Sequence, residues 1–123
     1  MEKIFKVVGL HHVQLAIPPN SEEEARAFYS DILGLAEVSP PTTASASRSI
    51  WFENERVRIH LGIETDFRPA SKAHPALLID DFKQILATLR AAGLEFSEAE
   101  SMDGCSRGHI HDPFGNRIEL IQA

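Results

Sequence analysis

Apolar residues alternate with polar or small ones along several short stretches of the chain, and they recur at helical spacing along two others. Val13, Leu15 and Ile17 occupy every second position of the stretch 7–17, which is the period expected for a strand. The whole pattern predicts strands over 7–17, 35–38, 49–52, 57–63, 73–79, 95–97, 107–111 and 117–122. Apolar stripes at helical spacing predict one helix after the first strand and another after the fifth.

Capping residues and glycines bound both predicted helices. A Ser or Asp at a helix start, with Glu or Gln three residues later, is typical of a capping box, and glycine suits the backbone of a helix end. The residues in these roles are Ser21, Glu24 and Gly34 for the first helix and Asp81, Gln84 and Gly93 for the second.

The order of the elements repeats along the chain. Both halves are predicted as strand–helix–strand–strand–strand, and the stretch 65–72 between them contains an Arg-Pro pair typical of a linker. Module one then covers about 6–64 and module two about 73–123. If each helix covers one face of a curved sheet, the opposite faces are free to line a cleft. We therefore predict one α+β domain with its helices on the outer faces.

The stretch Ser39–Ser49 interrupts this pattern with small and polar residues and two prolines. Such a composition predicts a mobile loop. An exposed connection is the simpler interpretation, and a cover over a binding site is the alternative.

Composition and charge exclude several classes of function. The net charge is −6 and the basic residues are dispersed, which argues against nucleic-acid binding. No stretch approaches the roughly 20 apolar residues of a membrane span. The single cysteine, Cys105, excludes an internal disulfide and is typical of a reducing compartment, so we expect a cytoplasmic protein.

A carboxylate in the last predicted strand is the first candidate for chemistry. The sequence Asp-Pro-Phe-Gly-Asn at 112–116 predicts a tight turn, and a strand follows it. Glu119 lies between Ile118 and Leu120 in this strand, which is a costly place for a carboxylate without a partner. Glu119 therefore needs either solvent or a cation.

Three histidines in strand contexts, His12, His60 and His74, are candidates to share that cation with Glu119. Neutral imidazoles and a carboxylate suit Fe(II), Ni(II), Mn(II), Co(II) or Zn(II), and an incomplete coordination sphere leaves room for water or substrate. The residues lie on different predicted strands, so their spacing gives no confirmation. Each histidine taken alone is equally well interpreted as a half-buried side chain.

Three stretches resemble the vicinal oxygen chelate superfamily, and they are 9–17 (Gly-Leu-His-His-Val-Gln-Leu-Ala-Ile), 25–35 (Ala-Arg-Ala-Phe-Tyr-Ser-Asp-Ile-Leu-Gly-Leu) and 112–121 (Asp-Pro-Phe-Gly-Asn-Arg-Ile-Glu-Leu-Ile). That superfamily includes glyoxalase I, extradiol dioxygenases, fosfomycin-resistance enzymes, methylmalonyl-CoA epimerase and bleomycin-binding proteins. The resemblance implies paired βαβββ modules, a divalent metal ion and a small-molecule substrate. It also implies a homodimer, in which one site can draw its ligands from both chains.

The resemblance also implies roles for individual residues. His12 matches the ligand of the first strand, His74 the ligand that opens the second module, and Glu119 the carboxylate of the last strand. His60 falls where glyoxalase I has a carboxylate or amide ligand, so glyoxalase-type isomerase chemistry lacks its usual base. His60 is then a metal ligand, a general base or a wall of the pocket.

Two further residues, Arg68 and His109, are candidates to line a substrate pocket. The alternatives are a solvated or structural arginine and a surface histidine. The resulting hypothesis is a metal-dependent enzyme, either a glyoxalase-like lyase or isomerase or a dioxygenase-like enzyme, whose ion chelates two adjacent substrate oxygens. The alternative is a metal-free protein that sequesters a drug or metabolite, as the bleomycin-binding relatives do. A thiol-transferring resistance enzyme ranks below both, because no basic cluster for a phosphonate is evident.

Overall fold

The computed structural model of the chain describes residues 4–43 and 48–123. Its first half contains β1 (Val13–Ile17), α1 (Glu22–Ala25, continued by π-helical turns over Arg26–Ile32), β2 (Ala36–Val38), β3 (Ser49–Glu53) and β4 (Arg58–Ile63). Its second half contains β5 (Ala76–Ile79), α2 (Phe82–Ala91), β6 (Ser97–Met102), β7 (Cys105–His111) and β8 (Arg117–Gln122).

Each half folds into one four-stranded mixed sheet. The first sheet has the order β1-β4-β3-β2, in which β1 and β4 are parallel and the other pairs are antiparallel. The second sheet repeats this arrangement as β5-β8-β7-β6, with β5 and β8 parallel. The predicted α+β fold with two βαβββ modules is confirmed.

One face of each sheet packs against its helix. Ile59 and Leu61 of β4 are at most 1% exposed and belong to the same buried cluster as Phe28. Ile118 and Leu120 of β8 belong to this cluster from the second module. Burial of side chains of this size stabilises the fold by about 1.5–3 kcal/mol each. Because alternate strand residues point to opposite faces, the residues between them lie on the open face of each sheet.

The buried carboxylate of Asp112 joins the two modules. Its Oδ2 accepts a hydrogen bond from Tyr29 of the first module at 2.7 Å and from Asn116 Nδ2 at 2.8 Å, and its Oδ1 accepts from the backbone N–H of Phe114 and of Asn116. Asn116 Nδ2 also donates to the carbonyl oxygen of Ala16 in β1 at 2.8 Å. The turn predicted at 112–116 therefore closes around this carboxylate and ties β8 to the first sheet.

Several predicted strand boundaries are wrong, and those of the first and sixth strands differ most from the structure. The first strand covers Val13–Ile17 rather than 7–17, because residues 5–12 pair with no strand among the described residues. β6 covers Ser97–Met102 rather than 95–97, because its pairing with β7 continues as far as Met102 and Cys105. The alternation of apolar residues does not indicate these boundaries, because each depends on where the strand pairs with a neighbouring strand.

The two predicted capping boxes have different outcomes. The side chain of Ser21 makes no cap, because its hydroxyl donates to the carbonyl oxygen of Pro18 at 2.6 Å, so the capping box with Glu24 is wrong. At α2, Asp81 Oδ1 accepts from the backbone N–H of Gln84 at 3.1 Å, which confirms the predicted helix start.

The predicted loop Ser39–Ser49 is described only in part. Residues 44–47 lie outside the described residues, and Ser49 is the first residue of β3. Among the helices that the structure describes, none has the length and apolar character to cross a membrane.

Candidate metal centre

Glu119 lies in the middle of β8, on the open face of the second sheet. Its neighbours Ile118 and Leu120 point into the core, and the strand register places Glu119 beside His109 of β7 and Ala76 of β5. Glu119 is only 7% exposed. A carboxylate buried to this degree is stable only with hydrogen-bonded or charged partners.

Three side chains surround the Glu119 carboxylate. Arg107 Nη1 donates to Oε2 at 3.1 Å, and His74 Nε2 contacts Oε1 at 3.0 Å. His109 Nε2 lies 3.8 Å from Oε1. The sequence predicts solvent or a cation beside Glu119, and the structure brings the guanidinium of Arg107 there. Arg107 shares a strand face with His109, which is the signal that could have indicated it.

The orientation of His74 suits a metal ligand. Its Nδ1 lies 2.7 Å from the carbonyl oxygen of Lys72, which can only accept, so Nδ1 carries a hydrogen. Nε2 is then the ring nitrogen that faces Glu119: it donates to the carboxylate when both ring nitrogens carry a hydrogen, and it is the nitrogen that would bind a metal ion when the ring is neutral. A hydrogen bond from the other ring nitrogen to a carbonyl is the usual support of a metal-binding histidine.

His74, His109 and Glu119 form a set of potential ligands within one chain. Their ligand atoms all lie within 4.8 Å of one another, and the rings of His74 and His109 meet edge to face with centroids 5.4 Å apart. Two imidazoles and one carboxylate fit a divalent transition metal such as Fe(II), Ni(II), Mn(II), Co(II) or Zn(II). The sequence suggests His109 as a residue of the substrate pocket, whereas the structure brings it beside the potential ligands.

Hydrogen bonding governs the acidity of Glu119. The hydrogen bond from His74, followed by the hydrogen bond and charge of Arg107, lowers the pKa of Glu119 below its ordinary value, and burial opposes this shift. The folded-state pKa of this carboxyl therefore lies below the unfolded one. Glu119 contributes stability above its unfolded pKa, and this contribution is lost as the pH falls through the folded pKa.

We expect the metal-free protein to lose more free energy of unfolding than its Glu119→Gln variant when the pH falls from about 5 to about 3. Glutamine has no carboxyl to protonate, so the difference between the two proteins isolates the titration of Glu119. Urea denaturation at a series of pH values measures it. If the free energy of unfolding depended on pH equally in the two proteins, the His74 and Arg107 contacts would not stabilise the ionised form of Glu119.

His12 and His60 lie on the other sheet. Their rings stack with centroids 4.2 Å apart, and Trp51 stacks on His60 at 3.8 Å, so the three rings form a column across the open face of the first sheet. Within the described part of the chain, neither histidine belongs to the set formed by His74 and Glu119. One chain therefore does not bring the four expected ligands together.

Glu53 fixes the orientation of His60. His60 is 2% exposed, and its Nε2 lies 3.2 Å from Glu53 Oε2, a contact that requires a hydrogen on Nε2 when the ring is neutral. Burial lowers the pKa of His60, and the hydrogen bond to Glu53 opposes the shift. A ring held in this way has Nδ1 as its basic nitrogen.

Arg68 lies in the linker between the modules, where it lines a cavity of about 370 Å³. His74 and Arg117 line the same cavity, and His109 does not. The cavity therefore adjoins the metal-ligand set through the ring of His74.

Comparison with known structures places the chain among proteins of closely similar fold. A protein from Bacillus anthracis assigned to the glyoxalase family is 36% identical, with a TM-score of 0.89 over 99% of this chain and 98% of that one. The fosfomycin resistance protein FosX from Listeria monocytogenes is 17% identical, with a TM-score of 0.73 over 96% of this chain and 95% of that one. The antibiotic-binding protein TnmS3 from Streptomyces sp. CB03234 is 20% identical, with a TM-score of 0.69 over 95% of this chain and 98% of that one.

The sequence itself gives the family. No curated protein matches the chain significantly. The model of one family matches residues 9–120, which include both modules and the last strand with Glu119. The chain belongs to the Glyoxalase/Bleomycin resistance protein/Dioxygenase superfamily.

Proposed function

We propose that the protein is a metal-dependent enzyme that acts on a small molecule with two adjacent oxygens. The observation that carries this proposal is that the potential ligand atoms of His74, His109 and Glu119 lie within 4.8 Å of one another. Glu119 is on the face of its strand opposite the buried Ile118 and Leu120. The hydrogen bond from His74 Nδ1 to Lys72 supports it, because it turns the other ring nitrogen toward the carboxylate.

The proposed ligands are His74 and Glu119 of one chain and His12 of a second copy. His12 lies on the open face of the first sheet, and a second chain packed against the open face of the other sheet would bring it to Glu119. His109, 3.8 Å from Glu119, is close enough to complete or adjust the coordination sphere. The protein is therefore proposed to be a homodimer with one site at each contact between a first and a second module.

An apolar arm before β1 supports the homodimer. Five large apolar side chains in this arm are between 72% and 102% exposed, and they are Ile4, Phe5, Val7, Val8 and Leu10. A run of exposed apolar side chains of this length indicates a surface that another molecule covers. The arm leads directly into His12. A second copy that covers the arm would therefore lie where His12 can reach the Glu119 of that copy.

We expect the double variant Val7→Asp/Val8→Asp to dissociate into monomers at concentrations where the parent is a dimer. Two carboxylates in the covered surface would lose their hydration without gaining partners. Sedimentation equilibrium measures the change, and Lys6→Asp in the same arm is the matched control for added negative charge. Equal dimer content in the parent and the double variant would contradict a role for the arm.

The residues around the centre have distinct proposed roles. A bound divalent ion would act as a Lewis acid that stabilises negative charge on a substrate oxygen. His60, which Glu53 holds by its Nε2–H, is proposed as a general base or a wall of the pocket, with Nδ1 free to accept a proton. Arg68 and His109 are proposed to contact the substrate, and Glu119 has a catalytic role through the ion.

Metal content is the direct test of this function. Protein purified without an affinity tag is analysed for bound elements and then titrated with Fe(II), Ni(II), Mn(II) and Zn(II). We expect close to one ion per chain, and turnover screens with the metal found would then separate lyase or isomerase chemistry from dioxygenase chemistry. A protein that neither retains nor takes up any of these ions would refute the enzyme hypothesis. The cytoplasmic location stays a prediction.

A metal-free binding protein is the second candidate. The Glu119 network is already satisfied by hydrogen bonds from His74 and Arg107, and the described residues contain no buried side-chain polar atom without a partner. The fold therefore does not require a cation for stability. In this alternative the open faces would sequester a drug or metabolite, and a known relative of this fold, TnmS3, is an antibiotic-binding protein.

A further inference from the structure

The cavity that Arg68 lines contains positive charge and no negative charge. It lies between the two modules, has a volume of about 370 Å³, and is lined by Arg68, Arg117 and His74, with no Asp or Glu among its described lining residues. This composition is unusual for the chain, because its net charge is −6. Small-molecule pockets have volumes of about 300–1,000 Å³, so the cavity suits a small ligand.

The two arginines of this cavity have no acidic partner. Within the described ranges, neither Arg68 nor Arg117 makes a side-chain hydrogen bond or ion pair. Other arginines do pair with glutamates, as Arg26 does with Glu37 at 2.7 Å and Arg107 does with Glu119 at 3.1 Å. Two guanidinium groups left unpaired on one concave surface attract an anion.

The backbone next to each arginine contacts the rest of the fold. Arg117 is the first residue of β8, and its neighbour Asn116 is anchored to the carbonyl oxygen of Ala16 at 2.8 Å. The linker is held by the ring of Pro69, which lies over Gly115, where an added Cβ would be 3.1 Å from Pro69 Cγ. The two arginines therefore belong to segments that lie against each other beside the cavity.

We propose that this cavity binds the oxyanion group of a small substrate, a carboxylate or a phosphate, through Arg68 and Arg117. The planar guanidinium forms paired hydrogen bonds to either group. This inference rests on the proposed function for its catalytic meaning, since His74 belongs to both the cavity and the metal-ligand set. A substrate would then carry its anionic group at one end and its chelating oxygens at the other.

The test measures anion binding in the absence of metal. Isothermal titration calorimetry of the full chain in chelator compares inorganic phosphate, acetate and the neutral analogue acetamide at constant ionic strength. We expect saturable binding of phosphate or acetate, no binding of acetamide, and affinity about tenfold weaker in Arg68→Gln/Arg117→Gln. Arg68→Gln alone, at an exposed position, is expected to show part of this loss, and Arg90→Gln on α2 is the matched control.

Two results would overturn the proposal. One is the absence of saturable binding of phosphate and of acetate. The other is an equal anion affinity in the parent, in Arg68→Gln and in Arg68→Gln/Arg117→Gln. The relative affinities of phosphate and acetate identify the oxyanion class. The anion titration contains no metal, so its result is independent of the metal titration. A protein that binds the anion but takes up no divalent metal ion would refute the proposed enzyme, and the proposed anion site would remain.

Discussion

Replacement of Glu119 by alanine is expected to weaken divalent-metal binding on the order of 100-fold or more. The substitution removes the only carboxylate from the set that contains His74 and His109. It also leaves the Arg107 guanidinium, which donates to Glu119 at 3.1 Å, as a positive charge beside the ion. Both effects act against the bound cation. Elemental analysis of the purified variant and calorimetric titration with Ni(II) measure the loss.

The matched control for this variant is Glu98→Ala on β6, which removes an exposed carboxylate from the same sheet. The control is expected to keep the metal content of the parent. Circular dichroism and thermal unfolding establish that the Glu119→Ala variant is folded before its metal content is interpreted. A folded Glu119→Ala protein that binds Ni(II) as the parent does would contradict the proposed metal centre.

The second large effect is expected from Asp112→Ala, which should lower the free energy of unfolding by about 3–5 kcal/mol. The buried carboxylate accepts from Tyr29, from the backbone of Phe114 and twice from Asn116. Its loss leaves these buried donors unsatisfied and frees the turn that precedes β8. Urea denaturation measures the change.

Two companion variants separate the causes of this destabilisation. Tyr29→Phe removes one of the hydrogen bonds and is expected to cost about 1 kcal/mol. Asp66→Ala removes an exposed carboxylate in the linker and is expected to change stability by less than about 0.5 kcal/mol. A loss below 1 kcal/mol in Asp112→Ala would show that the carboxylate does not hold the modules together.

The features that the sequence predicted correctly are those that depend on local pattern. Alternation along 57–63 and 117–122 indicated β4 and β8 and placed His60 and Glu119 opposite the core faces of their strands. The Asp-Pro-Phe-Gly-Asn stretch predicted the turn that the structure contains. In each case the periodicity of side chains along one strand, or the φ preference of a few residues, is sufficient information.

The contacts that the sequence did not predict depend on pairing between distant segments. His109 and Arg107 reach Glu119 because β7 and β8 pair with His109 opposite Glu119, and alternation alone does not define that register. Tyr29 reaches Asp112 across 83 residues of sequence. Val7 and Val8 fall within the predicted first strand, yet they pair with no strand among the residues that the structure describes. The proposed homodimer would supply a partner for these residues, and the periodicity of one sequence does not specify such a contact.

The central claim is that one metal centre draws His12 from one chain and His74 and Glu119 from another. The direct test mixes the His12→Ala and Glu119→Ala proteins, each deficient in metal alone, and lets their subunits exchange. About half of the resulting dimers are mixed. In each mixed dimer, one of the two sites combines His12 from the Glu119→Ala chain with Glu119 from the His12→Ala chain and is intact. We therefore predict recovery of about a quarter of the parent's metal content. Recovery of no metal after demonstrated exchange, or full metal content in His12→Ala alone, would contradict the claim.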